Sequence, residues 1–522
     1  MKKIERKYFV QAITFTVLFL VLIYKLTNAS LWFDETIEYY YSKTLVGAVP
    51  GQSGISSMYQ RIISTFQPPL YNIIMFFWLK IGNSEYWFRF FGVIMGMVSA
   101  LGVYKTVEKI CNYQLASISV FILAFTKQYV YYIQECAEYN LMLAGLSWTI
   151  YAWVCLLEKV NLKRMVFFIV MAVLSVYSQY GAAFLIVGLA VSSFIYIMLH
   201  EEKKQVLQMG VAYLITLIVA VIPLLVFFMS KQVENQQTAF ETTVKLPDNW
   251  LKDIVVSLKE VIEWELGYRS NLIIILGIIL LILLVVVFVF SSNKWTRYII
   301  IANGICWGLY YIAVKYGVYS YGNFGNRYSL FFIPMWVVSL LAIVFEARKI
   351  GITILKEKEH TVAGFRIVDG ILILCLIFFC LNNWNMIRKN WIKEDIRGTT
   401  EVWYDAEGYK EDTLIYYSSA AGFSYYLEQN TSYKKEMRKK ITFMQSGLYN
   451  ASDEYLKKTE KQYEKYLDGL YNGKWPNRLY IVATHLKSDF TIMLRCFEQE
   501  GYVINTLYNQ NGGHLLYLEK QR

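Results

Sequence analysis

The sequence predicts a polytopic α-helical membrane protein with a C-terminal α/β domain. Three observations predict it. Of 522 residues, 56% are apolar and only 17% are charged, against about 25% charged in an ordinary soluble domain. Apolar runs of about 18 residues or more, long enough to cross a bilayer, recur through the first 385 or so positions. Beyond about residue 390 the pattern changes to short β-type runs separated by helical stretches. Aromatic residues make up 17% of the chain, with 43 Tyr and 14 Trp, as suits rings that settle at headgroup depth.

About eleven spans are expected, at 8–26, 86–107, 115–133, 139–157, 164–180, 182–199, 206–228, 271–291, 297–316, 328–346 and 367–384. The first follows the basic head Met1-Lys2-Lys3-Ile4-Glu5-Arg6-Lys7. A signal peptide has a similar start, but the run is long and many spans follow, so an uncleaved span is the better reading. Segments 164–180 and 182–199 nearly touch, which requires a tight hairpin at Gln179-Tyr180-Gly181. Segment 68–81 is too short to span and reads as an interfacial or re-entrant helix. Gly92 and Gly96 have the spacing of close helix packing.

Charge sets the orientation. Net charge is +11, and the basic residues outside the tail fall on alternate loops. Lys2, Lys3, Arg6, Lys7, Lys105, Lys109, Lys159, Lys163, Arg164, Lys203, Lys204, Lys294, Arg297, Arg348, Lys349, Lys356, Lys358 and Arg366 share one side, which is then cytoplasmic. The other side carries loops 27–85, 134–138, 229–270 and 317–327. Loop 27–85 should carry short helices lying on the membrane, and loop 229–270 an amphipathic stretch from about Trp250 to Glu265. This gives a membrane module at 1–388 and a soluble extracytoplasmic domain at 389–522. The expected localisation is a multi-pass plasma-membrane protein with a cytoplasmic N-terminus. In the tail, strands are expected at 413–417, 478–483 and 515–519, a helix at 488–500, and helical structure through the Lys/Glu/Tyr-rich 434–475.

Several function classes fall away. No helix-turn-helix, zinc-finger or RNA-recognition signature accompanies the positive charge, so nucleic acid is not an expected partner. No Walker A loop, GxSxG elbow or Rossmann glycine pattern is found. The seven Cys form no CxxC pair, and Cys496 is alone in the tail. The four His, at 200, 360, 485 and 514, are scattered, so a His-rich metal site in the membrane part is excluded. Oxygen ligands from Asp34, Glu35 or Glu135 could still hold Mg or Mn.

What remains is a set of polar residues on the external face. Asp34 and Glu35 follow the first span within Leu31-Trp32-Phe33-Asp34-Glu35-Thr36. Adjacent acids among aromatics repel each other and are desolvated, which raises one toward the general-base range. A helix N-terminal charge pair is the plainer alternative. Glu135 sits in the short turn Gln134-Glu135-Cys136-Ala137-Glu138-Tyr139, where it is either a site acid or a solvated one. Arg327 opens a span after Gly322-Asn323-Phe324-Gly325-Asn326. A guanidinium there suits bidentate phosphate binding or simple anchoring. Arg89 has the same two readings. Gln67 precedes Pro68-Pro69-Leu70-Tyr71 at a helix start. Chosen by type, Asp34, Glu35, Gln67, Glu135, Gln179 and Arg327 all land outside. An acid pair, a further acid and an arginine at a lipid headgroup make a base plus a phosphate clamp.

In order, Trp32-Phe33-Asp34-Glu35, Gln67-Pro68-Pro69-Leu70-Tyr71, Ser84-Glu85-Tyr86-Trp87-Phe88-Arg89, Gln134-Glu135 and Asn326-Arg327-Tyr328 resemble the integral-membrane GT-C glycosyltransferases. The similar branch holds the protein O-mannosyltransferases, aminoarabinose transferases and RgtA-like enzymes. Tail segments Asp412-Thr413-Leu414-Ile415-Tyr416 and Tyr425-Tyr426-Leu427 also resemble the external domain of bacterial members. The resemblance implies a GT-C-like fold, a polyprenyl-phosphate-linked sugar as donor and a hydroxyl acceptor on a glycan, lipid, polymer or protein. It implies that Asp34 is the catalytic acid, with Glu35 in the second position of its motif and Glu135 at the later acidic site. Arg327 matches a basic residue that could hold the donor phosphate, Tyr328 beside it is a substrate-binding candidate, and no nucleotide is needed outside. The chain departs from the family where Cys136-Ala137-Glu138 interrupts QEARxY, and where Gln67 and Gln179 replace His. Phosphate binding then falls to Arg327, Arg89 or Lys80. A transporter or lipid flippase is the rival reading. It would carry mid-membrane charges and internal repeats, whereas here the spans carry few mid-depth charges, no repeat is apparent and the candidate acids cluster at one face.

Overall fold

The first apolar run forms a helix over Lys2–Ile23. The computed structural model describes residues 2–45, 58–65, 67–200, 203–235, 282–291, 293–321, 326–356, 361–430, 432, 435–444 and 453–521. Among these, six helices are long and apolar enough to cross a membrane. They lie at Glu5–Ile23, Glu85–Ile110, Tyr139–Glu158, Leu207–Glu234, Lys294–Lys315 and Leu330–Thr353, with shorter apolar helices at Tyr113–Phe125, Ala182–Tyr196 and Leu372–Ile387. This is a multi-pass membrane protein. The stretch 250–265 and most of 271–291 lie outside the described residues, leaving helix at 282–290.

Local chemistry sets the helix ends. Asn112, Asn161 and Asn293 cap the helices that follow, each Oδ1 accepting a backbone N–H at 2.9–3.0 Å. One expected element differs. The stretch 115–133 is two helices, Tyr113–Phe125 and Lys127–Gln134. Thr126 between them takes an extended backbone, and its hydroxyl donates to the Ile122 carbonyl at 2.8 Å. A side chain that bonds its own backbone competes with helix continuation. From Lys203 to Asn235 the backbone winds continuously, with π-turns at Leu217–Val221 and Leu224–Met229 on either side of Pro223. Proline lacks the N–H that would continue the α-ladder there.

The chain divides into two compact units. The first holds residues 1–26, 62–74 and 89–389. Its packing uses the expected glycine spacing. A β-carbon on Gly92 would strike the Ile133 carbonyl oxygen, and one on Gly96 would press on the Ile133 side chain. Two helices therefore meet with their backbones almost touching. The Tyr129 hydroxyl donates to the Gly96 carbonyl at 2.6 Å across this contact.

The second unit holds residues 27–61, 75–88 and 390–522. Its centre is a five-stranded sheet of order β2-β1-β3-β5-β4. The strands are β1 (Asp412–Ile415), β2 (Ile441–Phe443), β3 (Arg478–Thr484), β4 (Tyr502–Gln510) and β5 (Gly513–Lys520). The first three are parallel, while β5 runs antiparallel to both β3 and β4. Helices Ala420–Gln429, Asp453–Tyr471 and Phe490–Gln499 connect them. Within the expected helical stretch 434–475, the described residues form a 3-10 turn (Lys435–Lys440), strand β2 and the helix Asp453–Tyr471, while 445–452 lie outside the described residues. Two aromatic-rich cores cover the two faces of the sheet, one around Tyr416, Tyr463 and Phe497 and the other around Trp403 and Phe423.

Segments 27–61 and 75–88 belong to this unit. Arg397 donates to the Thr27 and Asn28 carbonyls at 3.1 Å, and its N–H donates to Ser30 Oγ at 3.1 Å. The Tyr426 oxygen accepts the Leu31 N–H at 2.6 Å while its hydroxyl donates to Glu85 at 3.1 Å. A stacked pair, Trp78 and Trp87, closes 75–88 through reciprocal indole-to-carbonyl bonds.

Candidate active site

In the second unit, Asp34 and Glu35 open the helix Phe33–Thr44. Acids in the first turn complement the helix dipole. The two side chains have different surroundings. Glu35 is fully buried. Its carboxylate accepts the Trp32 N–H at 3.3 Å, tying down the helix start, and pairs with Lys393 Nζ at 3.0 Å. Asp34 is partly exposed. One turn on, Glu38 is buried near Arg61, whose guanidinium lies 4.1 Å from the Tyr41 ring centre. Burial lowers the Arg61 pKa, and the neighbouring Glu38 and Tyr41 oppose the shift. Burial also raises the Tyr41 hydroxyl.

Lys393 is a residue that sequence reading misses. It lies in a short basic stretch with no motif around it, and only the fold brings it to Glu35. The adjacent Glu394 carboxylate lies within hydrogen-bond distance of His485 Nδ1, at 2.5 Å. The His485 ring stacks on Phe33 with centroids 4.5 Å apart.

In the first unit, the structure gathers several of the other candidates. Gln134 donates to the Leu22 and Tyr24 carbonyls at 2.9 and 3.0 Å, which fixes its turn to the end of the first helix. Glu135 and Glu138 in that turn are both buried, and Asn140 donates to the Glu135 carbonyl. Gln179 Nε2 donates to the Arg327 carbonyl at 3.2 Å, and the Arg327 N–H donates to the Tyr132 hydroxyl at 2.9 Å. Two side chains thus hold the Arg327 backbone. Its guanidinium lies 4.9 Å from the Tyr328 ring centre. Gln179 is buried, so its amide serves to place Arg327.

Gln232 is a second residue without a sequence signal. It is buried, and its amide donates to the Ile62 and Gln67 carbonyls while accepting from Tyr180. It thereby links the Gln67 backbone to the 179–181 hairpin. Arg89 is also buried and donates to the Leu26 carbonyl at 3.0 Å, which fits anchoring of the first helix. Among the described residues, no group of three or more His, Cys, Asp or Glu side chains forms a metal-binding cluster.

The comparisons with known proteins bear on this arrangement. Residues 66–229 match the family model described as dolichyl-phosphate-mannose-protein mannosyltransferase. Curated protein sequences give no match. Among solved structures, ArnT from Cupriavidus metallidurans bound to undecaprenyl phosphate superposes over 98% of this chain and 97% of its own, at TM-score 0.53 and 10% identity. The apo form of the same ArnT covers 99% and 98%, at 0.52 and 9%. The apo oligosaccharyltransferase of Archaeoglobus fulgidus covers 97% of this chain and 74% of its own, at 0.52 and 12%. The chain has the GT-C glycosyltransferase fold. The resemblance read from the ordered motifs is thereby borne out. In this GT-C fold the matched stretch 66–229 includes Gln67, Arg89, Glu135 and Gln179, all in the first unit.

Proposed function

We propose that the protein transfers a sugar from a polyprenyl-phosphate donor to a hydroxyl acceptor on the outer face of the plasma membrane. The observation that carries this is the mannosyltransferase family match at 66–229 within a GT-C fold that extends over nearly the whole chain. The lipid carrier is supported by the ArnT neighbour, which was solved with undecaprenyl phosphate. The proposed architecture has about eleven spans, a membrane module at 1–388, a cytoplasmic N-terminus and an extracytoplasmic domain at 389–522.

In the proposed mechanism, the acceptor oxygen attacks the anomeric carbon as the bond to the phosphate oxygen breaks, inverting that carbon. The acceptor proton passes to the Asp34 carboxylate. The bonding electrons leave with the polyprenyl phosphate, whose charge Arg327 stabilises. Glu35 keeps the Asp34 turn in place, in line with its burial against Lys393. Glu135 orients the acceptor. Gln67, Gln179, Arg89 and Tyr328 shape the donor region, with Gln179 acting through the Arg327 backbone. The lipid phosphate is already a competent leaving group, so no nucleotide is needed.

Detergent-purified protein given polyprenyl-phosphate sugars and membrane extract tests this reading. Release of free polyprenyl phosphate together with a glycosylated acceptor, its new sugar inverted at the anomeric carbon relative to the donor, is the expected result. Donor left intact in detergent, combined with lipid movement in vesicles, would favour the flippase reading.

A further inference from the structure

Asp34 stands between two residues that the C-terminal part of the chain holds. On one side, Glu35 is ion-paired with Lys393. On the other, Phe33 lies flat on the His485 imidazole, with planes within 7°. Lys393 and Glu394 are consecutive, so one dipeptide serves both flanks. Lys393 acts directly, and Glu394 acts through His485 at 2.5 Å.

Each part of this clamp is itself fixed. The next residue, Asp395, donates its N–H to the Asn511 carbonyl of the β4–β5 turn at 3.2 Å. Its carboxylate caps the helix Ile396–Asp405 through the Gly398 N–H at 3.0 Å and accepts from the Tyr508 hydroxyl at 2.5 Å. A β-carbon on Gly513, at the start of β5, would strike the Asp395 carbonyl, so the sheet lies tight against the residue that follows the dipeptide. His485 directly follows β3, and its backbone sits at φ 51°. That left-handed conformation is unfavourable for a residue with a β-carbon and persists only where the surrounding structure over-determines it; at His485 it goes with the ring lying on Phe33.

We propose that Lys393 and His485 are positioning residues for Asp34, so that the C-terminal α/β part is a working component of the glycosyl-transfer site. This rests on the reading of Asp34 as the base. Displacing a reacting group by about 1 Å can cost about 10²-fold in rate, so a two-sided hold on the flanking residues has a direct kinetic consequence.

The test uses the full chain in detergent with two readouts. Hydrogen exchange of the amides of residues 33–38, without substrate, reports the hold itself. Turnover of polyprenyl-phosphate sugars with membrane extract reports its effect. His485→Gly tolerates the positive φ and removes both stack and pair. It should speed exchange about tenfold or more and lower kcat by roughly 10- to 100-fold, with KM for the donor within about twofold. His485→Phe keeps a ring on Phe33 and should restore most of both. Lys393→Met should act like His485→Gly, and if that variant does not fold, the His485 pair carries the test. Arg478→Ala, at an exposed ion pair with Glu519, should match wild type. Unchanged exchange in His485→Gly would overturn the proposal. So would faster exchange with normal turnover, or a loss confined to KM. Normal turnover by Asp34→Asn would remove the base reading instead, while the exchange readout still reports whether the hold exists.

Discussion

Lys393 Nζ lies 3.0 Å from Glu35 Oε2, with the two side chains 4% and 0% exposed. Such a pair is held out of water on both sides. Removing one partner leaves an uncompensated buried charge, at a typical cost of about 3–5 kcal/mol, whereas replacing both by apolar groups is often near neutral. Thermal unfolding of the full chain should therefore show Lys393→Met as clearly destabilised. The double variant Lys393→Met/Glu35→Met should recover most of the loss. It should stay short of wild type by about 1 kcal/mol, the usual worth of a helix N-terminal cap such as Glu35 provides at Trp32. Equal melting of the single and double variants would contradict the pairing.

Glycines in the membrane part should separate into two kinds. At Gly92 the obstacle is backbone, the Ile133 carbonyl, so Gly92→Ala cannot be accommodated by a rotamer change. A loss of about 1–3 kcal/mol or more is expected from overpacking. Among the described residues, nothing lies within 4 Å of a β-carbon at Gly304, in the helix Lys294–Lys315. Gly304→Ala should be neutral or stabilising by up to about 1 kcal/mol, from helix propensity alone. Thermal midpoints of the two variants in one detergent provide the comparison.

His514 on β5 predicts an acid-side loss of stability. Burial lowers its pKa below the ordinary 6.5. A depressed value means that the unfolded chain binds the proton more readily. The associated stability is complete above about pH 6.5 and is lost as pH falls through the lower folded value. His514→Gln should flatten this part of the profile, measured as thermal midpoint from pH 7.5 down to pH 5.

Much of this was legible in the sequence where the cause is local. Asn112, Asn161 and Asn293 cap helices by accepting N–H groups of the first turn, a local preference of Asn that depends on sequence neighbours alone. The Gly92–Gly96 spacing foretold a close helix contact, and Ile133 supplies it. For Asp34 and Glu35 the alternative of a charge pair at a helix N-terminus was legible, and they do open a helix. Their division into a buried, paired Glu35 and a partly exposed Asp34 was not legible, because Lys393 reaches Glu35 from a distant segment. His485 and Gln232 were missed for the same reason. Each works by contact with a distant part of the chain and has no motif of its own. Strand β2 has three residues, all partly exposed, too few for alternation to register. Strand β4 was not expected, because it is mostly exposed along its length and carries no regular apolar alternation. The break at Thr126 depends on one hydroxyl inside a long apolar run, which hydropathy averages away.

The most direct test is the turnover of Asp34→Asn. The exchange keeps the side chain's size and leaves the Glu35–Lys393 pair untouched, so the protein should fold and reach the membrane as wild type does. Loss of a positioned general base typically costs about 10²–10⁴-fold. The account predicts a fall of that size in sugar transfer from polyprenyl-phosphate donors, followed by mass spectrometry of the released lipid phosphate. Turnover within about threefold of wild type would contradict it, and would move the base to another residue.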